Sequence, residues 1–271
     1  MMKNSIITLL TDFGTQDHYV ASMKGVILKI NPQCHLIDIT HQVRRHDIWE
    51  GAFILANAYS FFPKGTIHLA VVDPGVGGAR KPLLLVTPKY CFVGPDNGLF
   101  TMVTQKERVK QIITLDRQKY HLSKVSTTFH GRDVFAPVAA HLSLGVKPFA
   151  LGHQIDSLEG LGVEGPIVKK GELLGVVLHV DIFGNLVSNI DERAFFRFTR
   201  GRPFVIQAGG KTIRGLKKGY GEGKKDEPIA LFGSGGFLEI SIREASAQKV
   251  LKVKRGDPII ISTKFQASDP K

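Results

Sequence analysis

Two aspartates stand where strand-like runs end: Asp12 just beyond Ile6–Leu10, and Asp73 directly after Thr66–Val72. In a parallel α/β sheet, ligands bind beyond the carboxyl ends of the strands. A carboxylate after the first strand is placed to accept hydrogen bonds from a pair of ribose hydroxyls. Asp73 opens Asp73-Pro74-Gly75-Val76-Gly77-Gly78, and glycines in such a loop let backbone amides come close to a ligand. The loop has neither the Gly-Lys-Ser/Thr ending of a triphosphate loop nor the G-x-G-x-x-G pattern, which argues against ATP and NAD. Arg80, seven positions after Asp73, can fold back to pair with it. His130, in Thr127-Thr128-Phe129-His130-Gly131-Arg132-Asp133, belongs to the residue type that most often serves as a general base. Taken singly, each acid is equally a turn residue or a helix cap, the Asp–Arg pair can be structural, and a lone His is more often surface or core.

The second half of the chain offers Asp181-Ile182-Phe183-Gly184-Asn185 and Gly233-Ser234-Gly235-Gly236-Phe237. Asp181 could hold an ammonium group, Phe183 could stack on a flat base, and Asn185, with a donor and an acceptor, matches an adenine edge. The competing reading is a β-turn, since Asp, Gly and Asn are common turn formers. His121, His130 and His141 show no metal-binding spacing with a carboxylate, so no metal is expected. Cys34 and Cys91 are the only cysteines, which points to a reducing compartment rather than a disulfide framework.

The elements that must position these residues alternate in the first half. Strands are expected at Ile6–Leu10, His35–Ile39, Thr66–Val72, Leu83–Thr87 and Tyr90–Val93, and helices at Tyr19–Ile30, Asp47–Phe62 and Val134–Leu144, with Pro137 in the first turn of the last or kinking it. Such alternation implies an α/β domain with a mostly parallel sheet. Residues 151–171 are glycine-rich and read as a linker. Beyond them lie Gly175–Val180, Leu186–Ile190, Pro203–Ala208, Lys211–Ile213, Ala230–Phe232, Phe237–Ile242 and Pro258–Ile261. Short strands joined by glycine turns predict an all-β barrel or sandwich. The expected domains are 1–165 and 166–271.

The 271 residues carry 43% hydrophobic and 22% charged side chains, a globular composition that argues against wholesale disorder. No apolar run approaches the roughly 20 residues needed to span a bilayer, and Met1–Leu10 reads as a first strand rather than a signal peptide. The net charge of +12 is compatible with anionic partners, but simple solubility is the favoured reading. No nucleic-acid motif accompanies the clusters Lys217-Lys218, Lys224-Lys225 and Lys252–Arg255, so no nucleic acid or membrane is expected as a partner.

Taken in order, Leu10–Gly14, Val71–Gly77, Gly94–Leu99, Thr128–Asp133, Asp181–Asn185 and Gly236–Ile240 resemble one family, the S-adenosylmethionine (SAM) hydroxide adenosyltransferases. These are relatives of the enzymes that fluorinate or chlorinate the same substrate. The resemblance implies an N-terminal α/β domain with a C-terminal β-barrel, and hydrolysis of SAM to adenosine and methionine without a further cofactor. It also implies a homotrimer with sites between subunits, and the reducing compartment read from the cysteines makes the cytoplasm the expected location. The family's Asp–Arg–His set falls on Asp73, Arg80 and His130, and its ribose-diol acid on Asp12. Its methionine and adenine contacts fall on Asp181, Phe183, Asn185, Ser234, Arg243 and Ala245. Gly131 stands where the halogenating relatives have Ser, and His46 where they have Trp. A halogenase on the same scaffold and a non-catalytic SAM or adenosine binder are the alternative readings; a nucleic-acid binder is a third, motivated by charge alone.

Overall fold

The computed structural model describes residues 5–162 and 165–263. The first residues of the N-terminal run, the middle of the glycine-rich segment and the last eight residues lie outside them. The chain divides into two compact units between residues 163 and 164.

The first unit is a three-layer α/β/α structure. Its elements are β1 (Ile6–Thr11), α1 (Tyr19–Ile30), β2 (His35–Thr40), α2 (Ile48–Ala58), β3 (Ile67–Val71), β4 (Pro82–Val86), β5 (Cys91–Pro95), α3 (Thr101–Thr104), β6 (Gln111–Thr114), α4 (Ala136–Ser143) and β7 (His153–Gln154). The strand order is β2-β1-β3-β5-β4-β6-β7. β2, β1, β3 and β5 pair in parallel, and β4, β6 and β7 add antiparallel pairings. β6 therefore runs with the parallel set, and β4 and β7 against it.

All five residues of β3 are buried, as a central strand covered on both faces requires. Successive side chains go to opposite faces: Ile67, Leu69 and Val71 pack with Met23 and Ile27 of α1 and Val138 of α4, while Ala70 and Val72 pack with Leu55 of α2 and Val103 of α3. α2 is capped by the Asp47 carboxylate, which accepts from the Glu50 N–H; the predicted helix ends sooner as α, its last turn tightening to 3-10 at Tyr59–Phe61.

Two strands of this unit went unseen in the sequence, as did β8 (Ile167–Lys169) of the second. β6 is only four residues long, and the two-residue β7 falls in the segment read as a linker; neither is long enough to establish a period. The helix expected from Val134 starts earlier, as a π-helical turn at Gly131–Phe135 that runs into α4 with Pro137 in its first turn. Proline lacks the N–H that would bond back to the Asp133 carbonyl four residues earlier, and that carbonyl accepts instead from the Leu122 N–H at 2.9 Å.

The second unit is an antiparallel, nearly closed barrel-like sheet. It comprises β8 (Ile167–Lys169), β9 (Glu172–Val180), β10 (Leu186–Asp191), α5 (Glu192–Thr199), β11 (Val205–Ala208), β12 (Lys211–Arg214), β13 (Pro228–Phe232), β14 (Phe237–Ile242), α6 (Ala247–Leu251) and β15 (Pro258–Ser262). The order is β12-β11-β15-β9-β10-β14-β13, with β8 paired to β9. β12 and β13, at the two ends of that order, lie side by side. Leu173, Val177, Leu186, Ile190, Ile206, Leu238, Ile240 and Ile261 fill the interior. The two short helices were not expected. α5 carries Phe195, Phe196 and Phe198, a strand-like composition, yet Asp191 caps it through the Ala194 N–H at 2.6 Å.

Candidate active site

Asp73, Arg80 and His130 meet within the first unit. The Arg80 Nε donates to both Asp73 oxygens at 2.9 and 3.0 Å, and its Nη2 donates to Asp73 Oδ2 at 2.5 Å. The same Nη2 reaches His130 Nδ1 at 2.8 Å. Both charged side chains are largely buried, Asp73 at 5% and Arg80 at 9% exposure. A guanidinium has donors only, so the His130 Nδ1 must accept. The imidazole is then neutral with its proton on Nε2, and what it can offer a ligand at that nitrogen is a donor. Burial lowers the His130 pKa, and the neighbouring Arg80 charge lowers it further, partly offset by Asp73 and Asp133.

Several residues build this arrangement. The Asn97 Nδ2 donates to the Val72 carbonyl at 2.9 Å, pinning the chain where it leaves β3 for Asp73. Gly77 has φ +76°, and a Cβ there would lie 2.3 Å from the Thr127 carbonyl oxygen. The glycine thus lets the Asp73 loop close onto backbone three residues before His130; its close approach is to protein. Arg80 lies over the Phe135 ring at 5.4 Å, a cation–π contact. Asp133 is fully buried, accepting from the Ser126 N–H at 2.8 Å and from the Arg132 Nε at 2.6 Å. Burial raises its pKa, but the Arg132 and Ser126 hydrogen bonds outweigh that and the net shift is downward. Among these supports Gly77, Asn97 and Asp133 lie in segments the sequence singled out, but the partners of Asn97 and Asp133 are long-range or cross-loop and leave no spacing signal.

Asp12 sits in the loop after β1. Its Oδ2 accepts from the His46 N–H at 2.8 Å, and His46 holds the left-handed φ of 65°, so the residue that departs from the halogenase pattern contributes its backbone. Phe13, next to Asp12, packs edge-on against Phe129 with centroids 5.8 Å apart, and a Cβ on Gly131 would meet Phe13, Phe129 and Met23 at 3.2 to 3.4 Å. The Asp12 and His130 loops therefore adjoin.

The remaining predicted residues lie in the second unit. Asp181 closes its own turn: Oδ1 accepts from the Phe183 and Asn185 N–H groups and Oδ2 from the Asn185 Nδ2, all at 2.8 to 2.9 Å. Phe183 is 76% exposed at the tip of that turn, whereas Asn185 is buried. The Gly184 carbonyl accepts from the Gln248 N–H at 2.9 Å, which brings the turn against the segment holding Arg243 and Ala245. Arg243 is paired with Glu244 at 3.4 Å, and the Ala245 N–H donates to the Ile242 carbonyl. Ser234 is exposed on the turn before β14.

One acid here escaped the sequence reading. Glu239 is buried in β14 and accepts from the Tyr220 hydroxyl at 2.9 Å. Burial raises its pKa, the Tyr220 bond lowers it, and Asp181 raises it again; burial also pushes the Tyr220 hydroxyl up to about 12. The alternation of Glu239 with Ser241 between Leu238, Ile240 and Ile242 reads as the polar face of a strand, so nothing in the sequence marks this acid as buried. Among the described residues no group of three or more His, Cys, Asp or Glu side chains is disposed to hold a metal ion, and no helix is long and apolar enough to cross a membrane.

An α/β unit carrying an Asp–Arg–His set, followed by a barrel-like β unit, defines a class that sequence comparison names. The chain matches the SAM hydroxide adenosyltransferase N-terminal domain over residues 7–152 and the C-terminal domain of the same family over residues 175–260. It belongs to that family. An (R)-S-adenosyl-L-methionine hydrolase of Methanocaldococcus jannaschii is 40% identical over 94% of this chain and 95% of its own length. The crystal structure of an uncharacterized conserved protein from Thermotoga maritima superposes with a TM-score of 0.88 at 37% identity, covering 94% of this chain and 99% of that one. A fluorinase of an Actinoplanes species is 28% identical over 69% of this chain and 72% of its own length.

Proposed function

We propose that this chain hydrolyses S-adenosylmethionine to adenosine and methionine, with water or hydroxide attacking C5′ of the ribose. The observation that carries the reading is the Asp73–Arg80–His130 set, bonded in series and largely buried, in a member of this family whose 40%-identical relative is named a SAM hydrolase. The leaving group is a neutral thioether, so no acid is needed to expel it. The demand falls on the nucleophile. The Arg80 charge and the His130 Nε2–H are donors suited to holding a water or hydroxide oxygen, and preorganised donors in a water-poor site are worth more than in bulk. Asp73 orients Arg80 through the two-pronged bond. Holding nucleophile and substrate in line supplies up to ~7–11 kcal/mol of barrier reduction.

In this reading Asp12 receives the ribose hydroxyls through the oxygen that His46 leaves open, and Asp181, Phe183, Asn185, Ser234, Arg243 and Ala245 hold the methionine and adenine ends. SAM is the substrate and no separate cofactor enters. The protein works as a cytoplasmic homotrimer with sites between subunits; sedimentation at three times the chain mass is the expected result, and sedimentation as a monomer at the concentrations used for assay contradicts it.

The test of the function is chromatography of the products after incubating pure protein with SAM. Adenosine and methionine in equal amounts are expected. SAM recovered unchanged despite saturable binding, or 5′-halo-adenosine formed with chloride or fluoride, contradicts it in favour of a binder or a halogenase respectively.

A further inference from the structure

Asp12 is half-buried in the loop after β1, and its carboxylate meets the protein at the His46 N–H. Where that carboxylate stands therefore depends on the backbone to either side of it, and both sides are held by one residue outside the Asp73–Arg80–His130 set. His41, 5% exposed, directly follows β2. Its Nδ1 lies 2.8 Å from the hydroxyl of Thr11, the fully buried residue before Asp12. Its carbonyl accepts from the Gly14 N–H at 2.8 Å, two residues after Asp12. The Thr11 hydroxyl oxygen in turn accepts from the Phe13 N–H at 3.3 Å, closing a short turn with Asp12 at its centre.

The far side of the ring is also occupied. The Nε2 lies 3.1 Å from Asp38 Oδ1, and Asp38 Oδ2 accepts from the Lys24 Nζ of α1 at 2.6 Å. A carboxylate only accepts, which favours the tautomer with the proton on Nε2; Nδ1 is then the acceptor for the Thr11 hydroxyl. Asp38 and His41 are three residues apart and would point to opposite faces of a regular strand. β2 carries a bulge between them, its register against β1 stepping from Leu9–Asp38 to Leu10–Thr40. The extra residue turns both side chains to one side, a re-aiming typical of bulges beside functional sites. A leucine would fill the same space without the cost of burying a polar ring; what the imidazole adds is a fixed direction for the Thr11 hydroxyl.

We propose that His41 is the positioning residue of the ribose acid. Through Thr11 and Gly14 it fixes the Asp12 carboxylate where the 2′- and 3′-hydroxyls of the substrate arrive, without touching the substrate itself. The assignment rests on the reading above, in which Asp12 receives those hydroxyls.

The experiment titrates the full chain calorimetrically with adenosine and with 2′,3′-dideoxyadenosine, which offers Asp12 no hydroxyl, and reads the ratio of the two Kd values. A general loosening of the fold weakens both nucleosides alike and leaves that ratio unmoved. His41→Ala is expected to lower the preference for adenosine about 10-fold, the scale of misplacing one hydrogen bond to a charged group. Asp12→Ala should abolish the preference, and the double variant should lose no more than Asp12→Ala alone, since both act through one carboxylate. A parental ratio in a folded His41→Ala overturns the proposal, as does an equal weakening of both nucleosides or a further loss in the double variant. Should His41→Ala not fold, Thr11→Val, which removes the hydroxyl at nearly constant volume, decides in its place: a parental ratio overturns the proposal, and a loss of about 10-fold supports it. A parent that prefers adenosine yet forms none from SAM defeats the hydrolysis reading, and the ratios still decide the role of His41. A parent without that preference defeats the role of His41, and product formation still decides hydrolysis.

Discussion

Arg80 is the residue on which the site turns, because it alone touches both of its partners. Removing it leaves Asp73 as a mostly buried, uncompensated carboxylate, a situation that costs about 3–5 kcal/mol when one member of a buried pair is deleted. Arg80→Lys keeps the charge but loses the fork that spans Asp73 and His130. Arg80→Lys is therefore expected to lower kcat by ~10²-fold or more, the scale of losing a preorganised donor, with a smaller change in KM. A kcat within twofold of the parent would contradict the role assigned to the fork. His130 makes a second prediction through its protonation. Arg80 can donate to its Nδ1 only while the ring is neutral, and burial together with Arg80 holds the pKa below the ordinary value. The folded protein thus binds this proton less readily than the unfolded chain, so the contribution to stability is complete above about pH 6.5 and erodes as pH falls toward the lowered value. kcat/KM should accordingly be level at and above neutrality, with an acid limb whose midpoint lies below about 6.5. A midpoint above 7 would mean that a different group controls the rate.

At the scale of elements, the site depends on three loops being brought together: the one after β1, the one after β3 and the π-helical turn before α4. Gly77 is where the second of these closes on the third. Gly77→Ala combines a strained φ with a Cβ 2.3 Å from the Thr127 oxygen, and is expected to lower stability by ~1–3 kcal/mol and to reduce kcat by displacing Asp73 relative to His130. Thermal melting and turnover measured on the same preparation check this; a variant with parental melting and kcat would show that the contact is dispensable. These loops also mark how far the sequence could be read. Asp12 and Asp73 were legible because each follows an apolar run long enough to declare a strand, and that placement alone puts them at the sheet's carboxyl edge. α1 was legible from Val20, Met23, Ile27 and the Asn31-Pro32 stop. The antiparallel placing of β4 was not, since Leu83–Leu85 looks the same in either direction once both faces are covered. α5 was hidden by its phenylalanines, and the π-helical turn by the lack of any periodic signature in five residues. The service of Asn97 to Val72 and of Asp133 to Ser126 depends on partners distant along the chain or set by a turn, which spacing does not encode.

At the scale of the whole molecule, the two units divide the labour expected of a family member. In the proposed reading the first holds the groups that handle water, and the second presents, on the turns at 181–185, 233–236 and 243–246, residues suited to an amino acid and a base. The +12 charge speaks to solubility and association rather than to fold. The claim that water is the nucleophile at C5′ is tested most directly by running the reaction in water enriched with heavy oxygen and analysing both products by mass spectrometry. The account predicts that the label enters the 5′-hydroxyl of adenosine and that methionine carries none; adenosine free of label, or label found in methionine, would contradict it.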